Sequence, residues 1–272
     1  MKTKIIRQIL LTALALITIP ALAQKQKNIV IDPGLEANST ALKIKMGGQA
    51  LNKIPKYEFG DYAVVESKVG AVKSSGSSNL FDTKQQEKGK TQFSFIMTDR
   101  AENRATVNAR INQEHRSSKE QKLIAFFYIG ENEVLLDKHN FSATIFLNND
   151  TSNLWLLFMN YETGSQSNNT GTAFLTNGQR KILIVSASSN SNLKNARKIP
   201  ALGYQFIENK QALSAIQYYG GGLLGLNKGL VWIDHQLDEQ LKLVLSSAMT
   251  ALLHKEYSEV SDIDDLDDYE DW

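Results

Sequence analysis

The sequence has no cysteine. That absence removes thiol nucleophiles, disulfide exchange and cysteine-ligated zinc from the chemistry open to this chain, and a cysteine-linked lipid anchor with them. No H-E-x-x-H or other close zinc spacing links its four histidines, His115, His139, His235 and His254. The G-x-S-x-G turn of serine hydrolases is missing. Ser191 and Lys194 make an S-x-x-K, but the companion motifs S-D-N and K-T-G are missing too. The acidic C-terminal end lacks the D-x-[DN]-x-[DN]-G order of a calcium loop. No repeat recurs at a solenoid period. Past the first two dozen residues, no apolar run approaches the roughly 20 residues a membrane-spanning helix needs.

What is present begins with an export signal. Lys2, Lys4 and Arg7 precede an apolar stretch from Ile9 to Ile19, and Pro20 leads into Ala21-Leu22-Ala23 before Gln24. Charge, apolar run and small-x-small site in that order read as a secretory signal peptide over 1–23. The mature chain is expected to be exported, to the periplasm or beyond the cell. Together with the lack of cysteine, this fits a bacterial protein. The sequons at Asn38, Asn140, Asn149 and Asn168 carry no weight in such a host.

Charge is unevenly spread. From Glu259 to Trp272 there are eight acids and no base, whereas residues 24–258 hold 27 bases against 21 acids, a net of +6. The excess is too modest and too scattered for a nucleic-acid binder. Repelling acids with few apolar neighbours favour a solvated, disordered tail over 259–272.

Period-two patterning dominates the globular region, 24–258. Phe93, Phe95 and Met97 alternate with polar residues, as do Ala105, Val107, Ala109 and Ile111, and Leu42, Ile44 and Met46. These are half-buried strands. The apolar runs "LIAFFYI", "LWLLFM" and "ILIV" predict strands covered on both faces. Asn177-Gly178 predicts a tight hairpin turn, and Asn209-Lys210 a second one on weaker chemistry. Stretches 67–90, 113–121, 161–171 and 188–200 read as loops, with a short strand near Val69 to Val72; any subdomain boundary falls near 113–121. One helix stands out in "HQLDEQLKLVLSSAMTALLHK". Asp234 is its expected N-cap, and Leu237, Leu241, Val244, Ala248 and Leu252 form its apolar stripe. The expected fold is α+β: a predominantly antiparallel layered sheet or sandwich, with one long C-terminal helix packed on the sheet and the tail beyond it.

Gly220, Gly222 and Gly225 match G-x-G-x-x-G, yet "LNKGLVWID" follows, which is extended rather than helical. A dinucleotide turn needs a helix N-terminus there, so no nucleotide cofactor is expected and the glycines read as a strand connection. They are also the lip of the one surface singled out for a ligand: Tyr218, Tyr219, Gly220, Gly221, Gly222 and Trp232. No metal site is expected. Strand acids that could serve carboxylate chemistry are Glu66, Glu133, Asp137 and Glu208, with no pair assignable. The expected role is a non-catalytic binding or structural module of the cell envelope or extracellular space, with a protein or glycan partner. The alternative is a carboxylate-dependent hydrolase of glycan or peptide.

Overall fold

The computed structural model describes residues 28–78, 84–118, 121–124, 127–129, 133–165, 171–189, 200–220 and 229–267. The expected leader lies outside them. A short helix α1 (Pro33–Ala37) precedes sixteen strands among the described residues. They are β1 (Leu42–Lys43), β2 (Lys45–Met46), β3 (Tyr57–Phe59), β4 (Tyr62–Val69), β5 (Lys73–Ser78), β6 (Lys84–Thr98), β7 (Arg104–Ser118), β8 (Gln121–Ile124), β9 (Phe127–Ile129), β10 (Glu133–Leu147), β11 (Asp150–Thr163), β12 (Gly171–Thr176), β13 (Lys181–Ser188), β14 (Leu202–Glu208), β15 (Gln211–Tyr219) and β16 (Leu230–Ile233). Helix α2 (Glu239–Asp267) ends the described chain.

The fold is mostly antiparallel β, as expected, but it is not a sandwich. Fourteen strands form one sheet in the order β1-β16-β15-β14-β13-β12-β11-β10-β7-β6-β4-β3-β2, with β5 added on β6; β8 and β9 pair separately. A sheet this wide accumulates twist and curls. Its two ends are also consecutive in the chain. Leu42 and Lys43 pair with Val231 and Leu230, and Lys45 and Met46 pair with Glu58 and Tyr57. Between them the Ile44 N–H donates to the Gly229 carbonyl at 3.1 Å. One short segment therefore spans the seam, and the sheet is a nearly closed barrel.

The interior is built by alternation. Phe93, Phe95 and Met97 of β6, Ala105 to Ile111 of β7, Phe141 to Ile145 of β10 and Trp155 and Leu157 of β11 send every second side chain inward, all buried. The expectation that "LWLLFM" and "ILIV" are covered on both faces fails. Leu156, Leu183 and Val185 are 44 to 48% exposed, because a single-walled barrel meets solvent outside.

Helix α2 lies inside the barrel rather than on a sheet face. Every residue from Leu243 to Lys255 is buried, more than three turns. A helix lying on one sheet would keep a polar outer face. This one touches β6, β7 and β10 on one side and β15 on the other. Its N-cap is Asp238, not Asp234: Leu241 N–H donates to Asp238 Oδ1 at 2.8 Å. Asp234 instead closes the preceding turn, accepting from Gln236 N–H at 2.9 Å. The helix runs on to Asp267, into the acidic stretch.

A smaller second core sits outside the wall. Ile29 and Leu35 pack with Ala187, Ala215, Leu230 and Trp232. Gln217 Oε1 accepts the Ile29 N–H at 3.0 Å, and Gln205 Oε1 accepts the Asp32 N–H at 2.8 Å. The segment from Ile29 to Ala37 is thereby strapped over the outer face of β13 to β16.

Of the two expected hairpin turns, one differs from expectation and the other is found. Asn177 keeps an ordinary φ, and four residues, 177–180, separate β12 from β13; the Asn177 side chain caps this loop, accepting from Gln179 and Arg180 N–H. The tight two-residue turn is at Asn209-Lys210, where φ is +51° and +68° and Glu208 pairs with Gln211. A second such turn, Asn148-Asn149, joins β10 to β11. The stretches read as loops at 67–90 and 113–121 are largely strand: β4 reaches Val69, β5 covers 73–78, β6 begins at Lys84, and β7 runs unbroken to Ser118.

Candidate functional site: a polar recess at one end of the barrel

The inner rows of β6, β7, β10 and β11 are apolar through Phe93–Ala109–Ala143–Leu157, admit one hydroxyl in Thr91–Ile111–Phe141–Met159 and turn polar one register step further. There Gly89, Gln113, His139 and Tyr161 stand side by side, followed by Glu87, His115, Asp137 and Thr163. Residues paired directly across antiparallel strands share a face, so this end of the barrel is lined with hydrogen-bonding groups. Asp137 Oδ1 lies 3.0 Å from His139 Nε2 and 3.7 Å from His115 Nδ1.

Helix α2 brings its own polar residues to this level. Lys255 Nζ is 2.9 Å from Glu256 Oε1, and the Tyr204 hydroxyl of β14 donates to the same oxygen at 2.7 Å. The pair is nearly enclosed, with side chains 8% and 14% exposed. Burial and the neighbouring carboxylate push the Tyr204 phenol far above its usual pKa, so it stays a donor. Its ring stacks on Tyr218 with centroids 5.3 Å apart. No further hydrogen bond reaches Glu256 from the described residues, so Oε2 keeps its capacity to accept.

Two hollows flank the helix here. The larger, about 640 Å³, lies between Lys255 and Glu256 on one side and the wall formed by Met159, Ala173, Ile184 and Tyr204 on the other, with His139 and Tyr161 also lining it. The smaller, about 320 Å³, lies beside His254 and Tyr257 and is bounded by Tyr57, Ile111 and Gln113. The larger combines an apolar wall with a buried ion pair and a fixed phenol. That arrangement suits a ligand with an apolar body and a hydrogen-bonding end. Among the described residues, no group of three or more His, Asp and Glu is placed to hold a metal ion.

The surface singled out from the sequence is not assembled in one place. Tyr218 points inward onto Tyr204, next to the recess, while Tyr219 is 46% exposed. Trp232 is buried in the outer core with Ile29 and Leu35, on the opposite face of the sheet from Tyr218. Gly220 has φ +67°, and a Cβ there would run into the Pro200 carbonyl. Gly221, Gly222, Gly225, Ser191 and Lys194 lie outside the described residues. The next described element after the glycines is strand β16. The strand acids are dispersed as well. Glu66 pairs with Arg104 at 2.9 Å, Glu208 grips Arg180 through both oxygens, and Asp137 alone of the four faces the interior.

The sequence reading gave no site role to Lys255 or Glu256. One signal was available for Lys255: it continues the stripe Leu241, Leu245, Ala248, Leu252 at spacings of four, three, four and three. A charge on the apolar face of a long helix is either paired or functional.

The chain matches no protein-family model, no curated protein and no solved structure.

Proposed function

We propose that this chain is an exported, non-catalytic binding protein of the cell envelope or extracellular space. It holds a small amphipathic ligand, such as a glycan fragment with an apolar face, in the recess beside Lys255 and Glu256. The observation behind this reading is the recess itself. Its volume of about 640 Å³ falls within the roughly 300–1,000 Å³ of small-molecule sites, where apolar walls carry a few fixed polar groups. Glu256 Oε2 supplies an acceptor, Lys255 a buried cation, and Met159, Ala173 and Ile184 the apolar surface. No helix among the described residues is long and apolar enough to cross a membrane. The hydrolase alternative has less behind it, since Glu66 and Glu208 are held in ion pairs away from the recess.

The test is a thermal-shift screen of residues 24–272 against glycans, peptidoglycan fragments and single-chain amphiphiles, followed by calorimetry on any compound that shifts unfolding. A ligand at about 100 times its Kd stabilises by roughly 2.7 kcal/mol. Ala173→Trp fills the recess and is expected to abolish that shift. A hit that binds the Ala173→Trp protein equally well, or no hit across the panel, overturns the reading.

A further inference from the structure

The outer face of the barrel carries a second feature near the same end. Lys73 of β5 and Lys90 of β6 are directly opposite one another in the ladder. Like charges so placed repel and cost stability, and neither lysine has an acidic partner among the described residues. Lys88 and Lys138 border the same hollow of about 500 Å³, each with only a long contact to an acid: 3.8 Å to Glu114 and 3.4 Å to Glu162. Asn112 and Asn140 continue the Lys90 row across β7 and β10. Glu114 is the one acid lining the hollow, and it is already engaged: hydrogen bonds from Arg116, then Gln86, hold its carboxyl below the usual range. Edge-strand lysines often serve to block unwanted strand pairing. That explains Lys73, on the strand added at the side of β6, but not Lys88, Lys90 and Lys138, which sit on strands paired on both sides. Four cations around one hollow, two of them opposed and uncompensated, form a receptor for a polycarboxylate.

The chain itself contains the complementary segment. Glu259 to Trp272 holds eight acids and no base. In its own copy, α2 carries that segment onward from inside the barrel as one helix to Asp267, while the hollow faces outward, across the wall of β6, β7 and β10. We propose that the acidic segment of one copy docks in the lysine hollow of a second copy. Donor and receptor are different patches, so the contact is head-to-tail and builds open chains or rings of copies.

Sedimentation velocity on residues 24–272 tests this, at about 25 mM and about 300 mM salt, where screening lengths differ several-fold. The wild type is expected to form a concentration-dependent series at low salt and to be monomeric at high salt. Lys73→Glu/Lys90→Glu destroys the receptor, and truncation after Ser258 removes the donor. Each alone is expected to be monomeric at low salt, yet their equimolar mixture is expected to form a one-to-one heterodimer. A milder pair, Lys88→Gln/Lys138→Gln, is expected to weaken association at least about tenfold, and covers any folding defect in the double reversal. A monomeric wild type at low salt, association by the truncated chain, or a mixture that fails to pair overturns the proposal. The lysine variants change none of the residues that line the recess beside Lys255, so ligand binding there is scored separately on them.

Discussion

The Tyr57 hydroxyl meets His254 Nδ1 at 3.5 Å, although 197 positions separate the two residues in the chain. This contact joins the strand next to the barrel seam to the helix at its centre. Phe93 stands edge-on to the same imidazole, with centroids 4.6 Å apart. Burial lowers the His254 pKa to about 4 and raises that of Tyr57. At neutral pH the imidazole is therefore uncharged.

This gives a stability prediction with a definite sign. A histidine near 6.5 in the unfolded chain and about 4 in the folded one takes up protons preferentially on unfolding. Its contribution is intact above pH 6.5, is lost as pH falls towards 4, and changes no further below that. The full loss is about 3 kcal/mol. Urea titrations of the wild type and His254→Gln at pH 7, 5.5 and 4 isolate this contribution from the carboxylates. The gap between the two proteins is expected to close on acidification; a gap independent of pH rules the assignment out.

The Lys255–Glu256 pair behaves differently. Both side chains are mostly enclosed, and removing one partner of a buried pair leaves the other charge poorly compensated. Glu256→Gln and Lys255→Met are each expected to cost about 3 kcal/mol in urea unfolding. Lys255→Met/Glu256→Leu is expected to recover most of that while losing the ligand sought in the recess. If the double variant is as unstable as the sum of the singles, the pair is not a coupled unit.

The strands of the barrel were legible where the interior is apolar. Ala105 to Ile111 alternates because each inward residue packs against Phe95, Ile145 or their neighbours. Legibility ended where the inner row became polar. Gln113, His115, Asp137 and His139 face inward on strands whose outward residues are polar too, so the contrast that marks a strand disappears, and 84–90 and 113–118 resembled loops. Closure of the barrel could not be read from the sequence either. It depends on two residues pairing on each side of Ile44, and so short a match has no periodicity. The recess escaped notice for a related reason: its charged residues continue the stripe of α2 without interrupting it.

The turn at Asn209-Lys210 supplies a local test. Lys210 has φ +68°, a left-handed conformation that costs a residue with a Cβ roughly 1–2 kcal/mol. Lys210→Gly relieves that strain but adds entropy to the unfolded chain. The net expectation is a gain of about 0.5 kcal/mol, seen as a higher urea midpoint with an unchanged slope. A lower midpoint means that the lysine side chain contributes something the backbone geometry does not reveal.

The interface between α2 and the wall contains hydroxyls that do little for stability. Ser246, Ser247 and Thr250 of the helix and Ser214 of β15 are fully buried, and their hydroxyl oxygens have no hydrogen-bond partner among the described residues. A hydroxyl buried without a replacement for its bonds to water costs about 1–3 kcal/mol. Removing the hydroxyl while keeping the shape should return part of that cost. Thr250→Val and Ser246→Ala are each expected to raise stability by about 1 kcal/mol, and because the two lie one turn apart the gains should add only approximately. A loss of stability in Thr250→Val shows that its hydroxyl is satisfied in solution, with water inside the barrel as the partner to look for.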